Sequence, residues 1–208
     1  MSSVPVSEGD PASPQQHLPT LQPPLRKNHL DTYRANRARL YPNVSEEQWN
    51  DWKWQQKNRV TSLEQITQLF SIDEFSSARL TDIFELYRTA ITPYYLCLID
   101  FDNPHDPLRA QSVPAVEEMI NPGELEWDPL NEEGDSPVTG IVHRYPDRCL
   151  FLVTSYCPLY CRYCTRKRKW VDEDGTTGQR KIERMIEYVA QHPEIRDVIV
   201  SGGDPLSL

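Results

Sequence analysis

The apolar positions change their rhythm part-way along the chain. Between residues 31 and 92 they recur at helical spacing. Leu63, Ile66, Leu69 and Phe70 fall on one helical face, with Thr61 or Ser62 where an N-cap belongs. Ser45-Glu-Glu-Gln48 is a capping-box pattern and opens a segment carrying Trp49, Trp52 and Trp54. Trp49 and Trp52 are spaced to share a face, and these aromatics read as core packing. Asp31 is placed to cap an earlier helix through Tyr33 and Leu40, and a further helix is expected over about 77–91, ending before Pro93.

After Gly140 the pattern becomes that of buried strands. Residues 149–155 are an apolar run bounded by Pro146 and Pro158. Ile182, Met185, Ile186 and Val189 give a helix over 179–192, stopped by Pro193. Asp197-Val-Ile-Val-Ser201 is a second short strand, ending at Gly202-Gly203. Strand, helix, strand is a βαβ unit, and such strands belong in a parallel sheet covered by helices. Between the two halves, residues 93–140 are rich in Pro, Asp and Glu. Asp102-Asn-Pro-His-Asp-Pro107 and Asn131-Glu-Glu-Gly-Asp-Ser-Pro137 read as turns, and the acidic run as a solvated surface. His105 stands among turn formers with no Cys or His near it, so the turn reading is preferred to a metal ligand.

Composition narrows the classes. Residues 1–30 hold six of the 18 prolines with Ser and Gln between them, little to bury, and an expectation of disorder. A net charge of −9 does not favour wholesale nucleic-acid binding, although Arg162, Arg166, Lys167, Arg168 and Lys169 form a local basic strip. Five cysteines without a secretory signal argue against a disulfide framework and for a reducing, cytoplasmic setting. No apolar run approaches the roughly 20 residues that span a bilayer.

The chemistry concentrates at the end of the first strand. Cys157-Pro-Leu-Tyr-Cys161-Arg-Tyr-Cys164 is a C-x3-C-x2-C loop followed by Thr165-Arg166. Three thiolates from one tight loop suit a [4Fe–4S] cluster with one iron left open, because a complete cluster site takes four cysteines. Structural zinc needs a fourth ligand, and Cys97 and Cys149 lack the pairing to supply it. The basic strip is expected to favour the thiolates. Arg144 and Arg148, four apart, can fork onto phosphate oxygens or form a surface pair. Ser201-Gly-Gly-Asp204 allows close backbone approach, and is also a good turn.

Taken together, His143-Arg-Tyr-Pro-Asp-Arg148, the cysteine loop with Arg166, and Ser201-Gly-Gly-Asp204 resemble the lysine 2,3-aminomutase family of radical S-adenosylmethionine enzymes. The resemblance runs from about Tyr33 to Leu208 and includes Trp49-Asn-Asp-Trp52-Lys-Trp54-Gln and Tyr87-Arg-Thr-Ala-Ile-Thr-Pro-Tyr-Tyr95. It implies an α/β fold: a disordered tail (1–30), an N-terminal helical region with acidic loops (31–139), and the start of a radical-SAM partial (β/α) barrel (140–208). It implies that Cys157, Cys161 and Cys164 hold the cluster. Tyr163 would lie against adenine, or pack locally. Ser201, Gly202, Gly203 and Asp204 would hold the amino-acid end of S-adenosylmethionine. Arg144, Tyr145 and Arg148 would hold pyridoxal phosphate, and Arg166 the substrate α-carboxylate, while Lys167, Arg168 and Lys169 are either solvated or neutralise the cluster region. The reaction implied is radical migration of an amino group from the α- to the β-carbon, most simply L-lysine to L-β-lysine. Glutamate 2,3-aminomutase and the lysine aminomutase acting for elongation factor P are close alternatives. A non-catalytic iron–sulfur or zinc module, contacting an acidic partner or RNA through the basic strip, is the alternative of another class. An electron donor such as flavodoxin or ferredoxin, and homo-oligomers, come with the resemblance. A family member is expected to continue well beyond Leu208, with further barrel strands, the pyridoxal-phosphate lysine and carboxylates reading the substrate's ε-ammonium. The sequence therefore reads as truncated after the second strand, with an unpaired strand edge and no activity alone.

Overall fold

The computed structural model describes residues 29–70, 72, 74–120, 126–170 and 175–208. The expected disordered tail, apart from His29 and Leu30, lies outside the described residues. Seven helices come first: α1 (His29–Leu40), α2 (Glu46–Asn50), α3 (Trp52–Lys57), α4 (Leu63–Phe70), α5 (Glu74–Leu86), α6 (Pro93–Leu98) and α7 (Pro107–Ser112). Then follow β1 (Ile141–Tyr145), β2 (Arg148–Thr154), α8 (Gln179–Ala190) and β3 (Asp197–Gly202). The fold is α/β, helices with one small sheet.

Capping decides where the early helices begin. Both halves of the Ser45–Gln48 capping box form at the start of α2. Ser62, rather than Thr61, caps α4, its Oγ accepting from Gln65 N at 3.2 Å. The shared face for Trp49 and Trp52 does not form. Asp51 ends α2 and caps α3 through Lys53 N at 3.0 Å, so the helix axis breaks between the two tryptophans. Trp49 is buried among Tyr33, Tyr41 and Trp54, its Nε1 donating to Tyr33 Oη, while Trp52 is 52% exposed. Asp31 lies inside the first turn of α1 rather than capping it. The helix expected over 77–91 runs instead from Glu74 to Leu86. Ile91 leaves it to pair its backbone with Val60, with both N–H groups donating across at 2.8 and 3.0 Å.

Among the described residues two larger apolar cores result. One gathers Val60, Ile66, Phe70, Ile91, Leu96, Ile99 and Val113 among the helices. Each fully buried aliphatic side chain there contributes about 1.5–3 kcal/mol. The buried Asn36 amide donates to the Cys97 and Ile99 carbonyls and ties α1 to the end of α6. The second core lies between the sheet and α8, with Met185 set on Ile141, Cys149, Phe151 and Val153. Cys97 and Cys149 are both buried, as expected of core thiols. Among the described residues no helix is long and apolar enough to cross a membrane.

The sheet has the order β1-β2-β3. β2 and β3 are parallel as expected, with Leu150 opposite Ile199 and Leu152 opposite Ser201. The antiparallel strand β1 was not anticipated. It places Val142 opposite Leu150, so Val142, Leu150, Leu152 and Ile199 share the face away from α8. β3 is the outer strand among the described residues, and Val198, Ile199 and Val200 are 39, 51 and 54% exposed.

β3 turns sharply where Gly202 takes φ +122°. A Cβ there would stand 2.3 Å from the Thr154 carbonyl oxygen, and one on Gly203 would stand 2.2 Å from that of Tyr156. Gly202→Ala should therefore cost at least about 2 kcal/mol, from strained torsions and a backbone clash together. A urea denaturation midpoint unchanged from the parent chain would contradict this.

Candidate functional site

The cysteine loop leaves the C-terminal end of β2 and is held by the helical region as well as by its own turns, in which Cys164 N donates to Cys161 O at 3.1 Å. Tyr160 N donates to Ala90 O at 3.2 Å, and Arg162 N to Gln111 O at 2.8 Å. From the end of α3, Gln56 accepts from Tyr156 Oη at 2.7 Å. Arg59, just beyond, donates to Cys157 O at 2.6 Å and lies over the Tyr156 ring. Tyr160 is 2% exposed and packs with Ala90, Cys157 and Cys164. The helices thus form a platform on which the loop is seated.

The basic strip is not a solvated surface, and neither is all of the acidic run. Arg162 and Arg168 are buried. Glu118 receives Arg162 bidentately, at 2.9 and 2.7 Å, and also Lys167. Glu132, 3% exposed, receives Arg166 at 2.7 Å and Arg168 at 3.2 Å. Arg168 also meets Asp128 at 2.7 Å. Burial pushes the Lys167 and Lys169 ammonium groups below their ordinary range. Four cations of the strip are therefore paired with the buried Glu132 or the half-buried Glu118. Neither Glu118 nor Glu132 stood out in the sequence, because each lies 34 or more residues from its partners.

The thiols lie close enough to influence one another electrostatically. Burial pushes Cys157 up to about 12, with the charges of Cys164, Asp204 and Cys161 adding to the rise. Burial also raises Cys164, against the backbone N–H and charge of Arg166. The Arg166 charge does favour the Cys164 thiolate, as expected of the basic strip, but burial outweighs it there and dominates at Cys157. Ligation must then displace protons from the thiols. Among the described residues no three His, Cys, Asp or Glu side chains converge for a single metal ion. A four-iron cluster makes a different demand, as each thiolate takes its own iron. Three mutually adjacent thiols on one anchored loop fit that group better than they fit tetrahedral zinc. The His105 N–H closes a turn onto Asn103 Oδ1 at 3.0 Å.

The remaining candidates lie on the face of the sheet away from α8. Arg144, Tyr145, Arg148 and Arg166 line one cavity of about 170 Å³ with Glu132, floored by Val142, Leu150 and Ile199. Arg144 pairs with Asp135 at 2.8 Å and Arg148 with Asp147 at 2.9 Å, both partly exposed. Arg166 also borders a second, smaller cleft with Leu152, Ser155, Gly202 and Gly203, and its Nη1 donates to Ser201 Oγ at 3.2 Å. Arg166 therefore stands between the two cavities. The close approach that the glycines permit is to the chain's own backbone. Gly203 N donates to Thr154 O at 2.7 Å and Asp204 N to Tyr156 O at 2.8 Å. The Asp204 carboxylate accepts from Leu206 N at 3.0 Å and from Ser207 Oγ at 3.2 Å. Tyr163 is 67% exposed beside Cys161, whose charge raises its hydroxyl, so the local-packing reading does not hold for its ring.

A family model described as a 4Fe-4S single cluster domain matches residues 145–207, which span the cysteine loop and the β3 turn. The chain is 44% identical over 168 residues to an L-lysine 2,3-aminomutase of Acetoanaerobium sticklandii, covering 81% of this chain and 41% of that protein. It is also 44% identical over 170 residues to the L-lysine 2,3-aminomutase of Fusobacterium nucleatum.

The chain belongs to the lysine 2,3-aminomutase family.

Substrate varies among these relatives: a glutamate 2,3-aminomutase of Clostridioides difficile is 35% identical over 189 residues, covering 91% of this chain and 44% of that protein. The chain spans about two fifths of the length of the lysine-named relatives, 41% and 40%. Within the residues that the family model matches lie the cysteine loop, Arg166, Gly202 and Gly203.

Proposed function

We propose that this chain carries the cofactor-binding part of a radical S-adenosylmethionine aminomutase, which moves an amino group between adjacent carbons of an amino acid. L-Lysine is the substrate favoured, since three relatives with 44% identity are named for it and the glutamate-named one is at 35%. The observation that carries the reading is Arg166, set between a cavity with Arg144, Tyr145 and Arg148 and a cleft beside Gly202 and Gly203. The sheet and its cysteine loop would be the start of a partial (β/α) barrel.

Cys157, Cys161 and Cys164 would hold a [4Fe–4S] cluster. When bound, the cluster and S-adenosylmethionine supply radical chemistry, and pyridoxal phosphate supplies the ring on which the migrating amino group is carried. Arg144 and Arg148 have only partly exposed aspartates as partners, which a phosphate can outcompete. Tyr145 and the apolar floor of the cavity suit a flat ring. Arg166 would bind the substrate carboxylate. Tyr163, open beside Cys161, would cover the adenine, and Ser201 through Asp204 would border the S-adenosylmethionine. A one-electron donor protein, a reducing compartment and assembly with further copies belong to the same proposal.

Anaerobic reconstitution with iron and sulfide tests it. About four iron and four sulfide per chain are expected, with 5′-deoxyadenosine formed from S-adenosylmethionine on reduction. One zinc and no sulfide would instead support a structural module.

A further inference from the structure

The cations beside the cysteines are explained as ion pairs, but one carboxylate among their partners is built with unusual care. Glu132 is 3% exposed and follows Asn131, whose φ is +48°, the left-handed region that non-glycine residues seldom occupy. The surrounding loop is closed on itself. Asn131 N donates to Asp128 O at 2.9 Å, Glu133 N to Asp128 Oδ2 at 2.8 Å and Asp135 N to Asn131 O at 3.1 Å. The result is a carboxylate turned inward from an acidic loop onto Arg166 and Arg168.

Its grip on Arg166 is by one edge of the guanidinium. Nε donates to the Glu132 carboxylate at 2.9 Å, and Nη2 lies 2.7 Å from the same oxygen. Nη1 donates to Ser201 Oγ at 3.2 Å. A guanidinium has five N–H donors. Glu132 takes the one on Nε and Ser201 takes one on Nη1. Hydrogens remain on both terminal nitrogens, Nη2 being held near Glu132 by charge. Arg166 borders both cavities, so a fork held in this way can offer its remaining donors to a second carboxylate without swinging.

We propose that Glu132 is a positioning residue, which fixes the Arg166 fork so that it recognises the carboxylate of an amino acid. The proposal rests on the reading of Arg166 as the carboxylate-binding residue. In this role Glu132 acts through Arg166. An unheld arginine would spend binding energy on ordering its own side chain. With Glu132 gone, Arg168 would also lose a partner, and both cations would relax toward Asp128 and Glu133.

The test compares two probes on the cluster-reconstituted chain by calorimetry: L-lysine, and 1,5-diaminopentane, which is lysine without its carboxylate. The unaltered chain should prefer lysine, and Arg166→Ala should erase that preference. Glu132→Gln keeps the shape of the side chain and removes its charge. It should weaken lysine binding by roughly 10- to 100-fold, the usual effect of losing an outer partner, and leave diaminopentane binding and iron content unchanged, while the melting temperature falls because Arg168 loses a buried partner. Should Glu132→Gln fail to fold, Glu132→Asp decides, since retracting the carboxylate by one methylene should weaken lysine alone. An unchanged lysine preference in the Glu132 variants overturns the proposal while Arg166 keeps its role. A parallel fall for both probes overturns it too, by showing a structural role only. Tighter lysine binding does so by showing that Glu132 competes with substrate. If the unaltered chain shows no preference, or Arg166→Ala retains one, the reading of Arg166 itself fails and the proposal falls with it.

Discussion

Cys157→Ala, Cys161→Ala or Cys164→Ala should each bring acid-labile sulfide in the reconstituted chain to background, whereas Cys97→Ala and Cys149→Ala should leave it unchanged. The triad shares one loop, and its thiols lie close enough to perturb one another electrostatically. A cluster with three protein ligands and one open iron has no ligand to spare. Cys97 is enclosed in α6, and burial pushes its thiol up to about 12, so it is an inert core thiol. Cys149 lies on β2 under Met185, and its loss costs packing rather than ligation. Sulfide analysis of the five variants in parallel settles the assignment. Loss of sulfide in a Cys97 or Cys149 variant comparable to that in the triad would refute it.

The second large effect is expected from Arg162→Ala, which should destabilise the chain by about 3–5 kcal/mol, the cost of removing one partner of a buried pair. The Arg162 side chain is 5% exposed and that of Glu118 12%. The guanidinium also donates to Arg88 O at 3.0 Å, so one substitution strips that carbonyl of its partner and leaves Glu118 with Lys167 alone. The effect depends on pH, and the sign follows from Glu118. Burial alone would raise its carboxyl, but the hydrogen bonds and charges of Arg162 and Lys167 outweigh burial and hold it below its ordinary value of 4.5. A depressed carboxyl contributes stability that is fully present above its unfolded pKa and lost as pH falls through its folded one. The difference between the parent chain and Arg162→Ala should thus be constant near neutrality and shrink in acid. Urea denaturation of both chains at pH 7 and pH 3.5 measures it, and a difference that grows in acid would be incompatible with this account.

What was legible in the sequence was what short-range spacing encodes. Ser45 and Gln48 meet because they lie one helical turn apart. The apolar run over 149–155, the helix after Gln179 and Asp197-Val-Ile-Val-Ser201 sort into a βαβ unit on periodicity alone. The three cysteines needed only their spacing and the strand before them. Strand β1 was missed because only Ile141 and Val142 of its five residues are apolar, and its pairing is specified by β2 rather than by its own pattern. The break between Trp49 and Trp52 was missed because Asp51 reads equally well as a helical surface residue and as a cap. The buried carboxylates could not be found by spacing. Glu118 and Glu132 sit in acidic stretches that look solvated, and their burial depends on a cationic loop folding back over them. The glycines after β3 were noticed for the right property, tolerance of close approach, but what approaches is the backbone of Thr154 and Tyr156.

The seating of the cysteine loop on Ala90, Gln111, Arg88 and Arg59 has a consequence for how the site comes into being. These contacts bridge as many as 98 residues, and all of them reach back toward the N-terminus. A ribosome delivers the helices before the cysteines, and domains tend to consolidate in that order. By the time Cys157 emerges, the surface that receives its loop is already made. The machinery that delivers iron and sulfide would then meet three thiols held in place, not a floppy segment open to oxidation or to a stray zinc ion. The helical region, which contributes no ligand, acts in this sense as an assembly jig for the inorganic part of the protein.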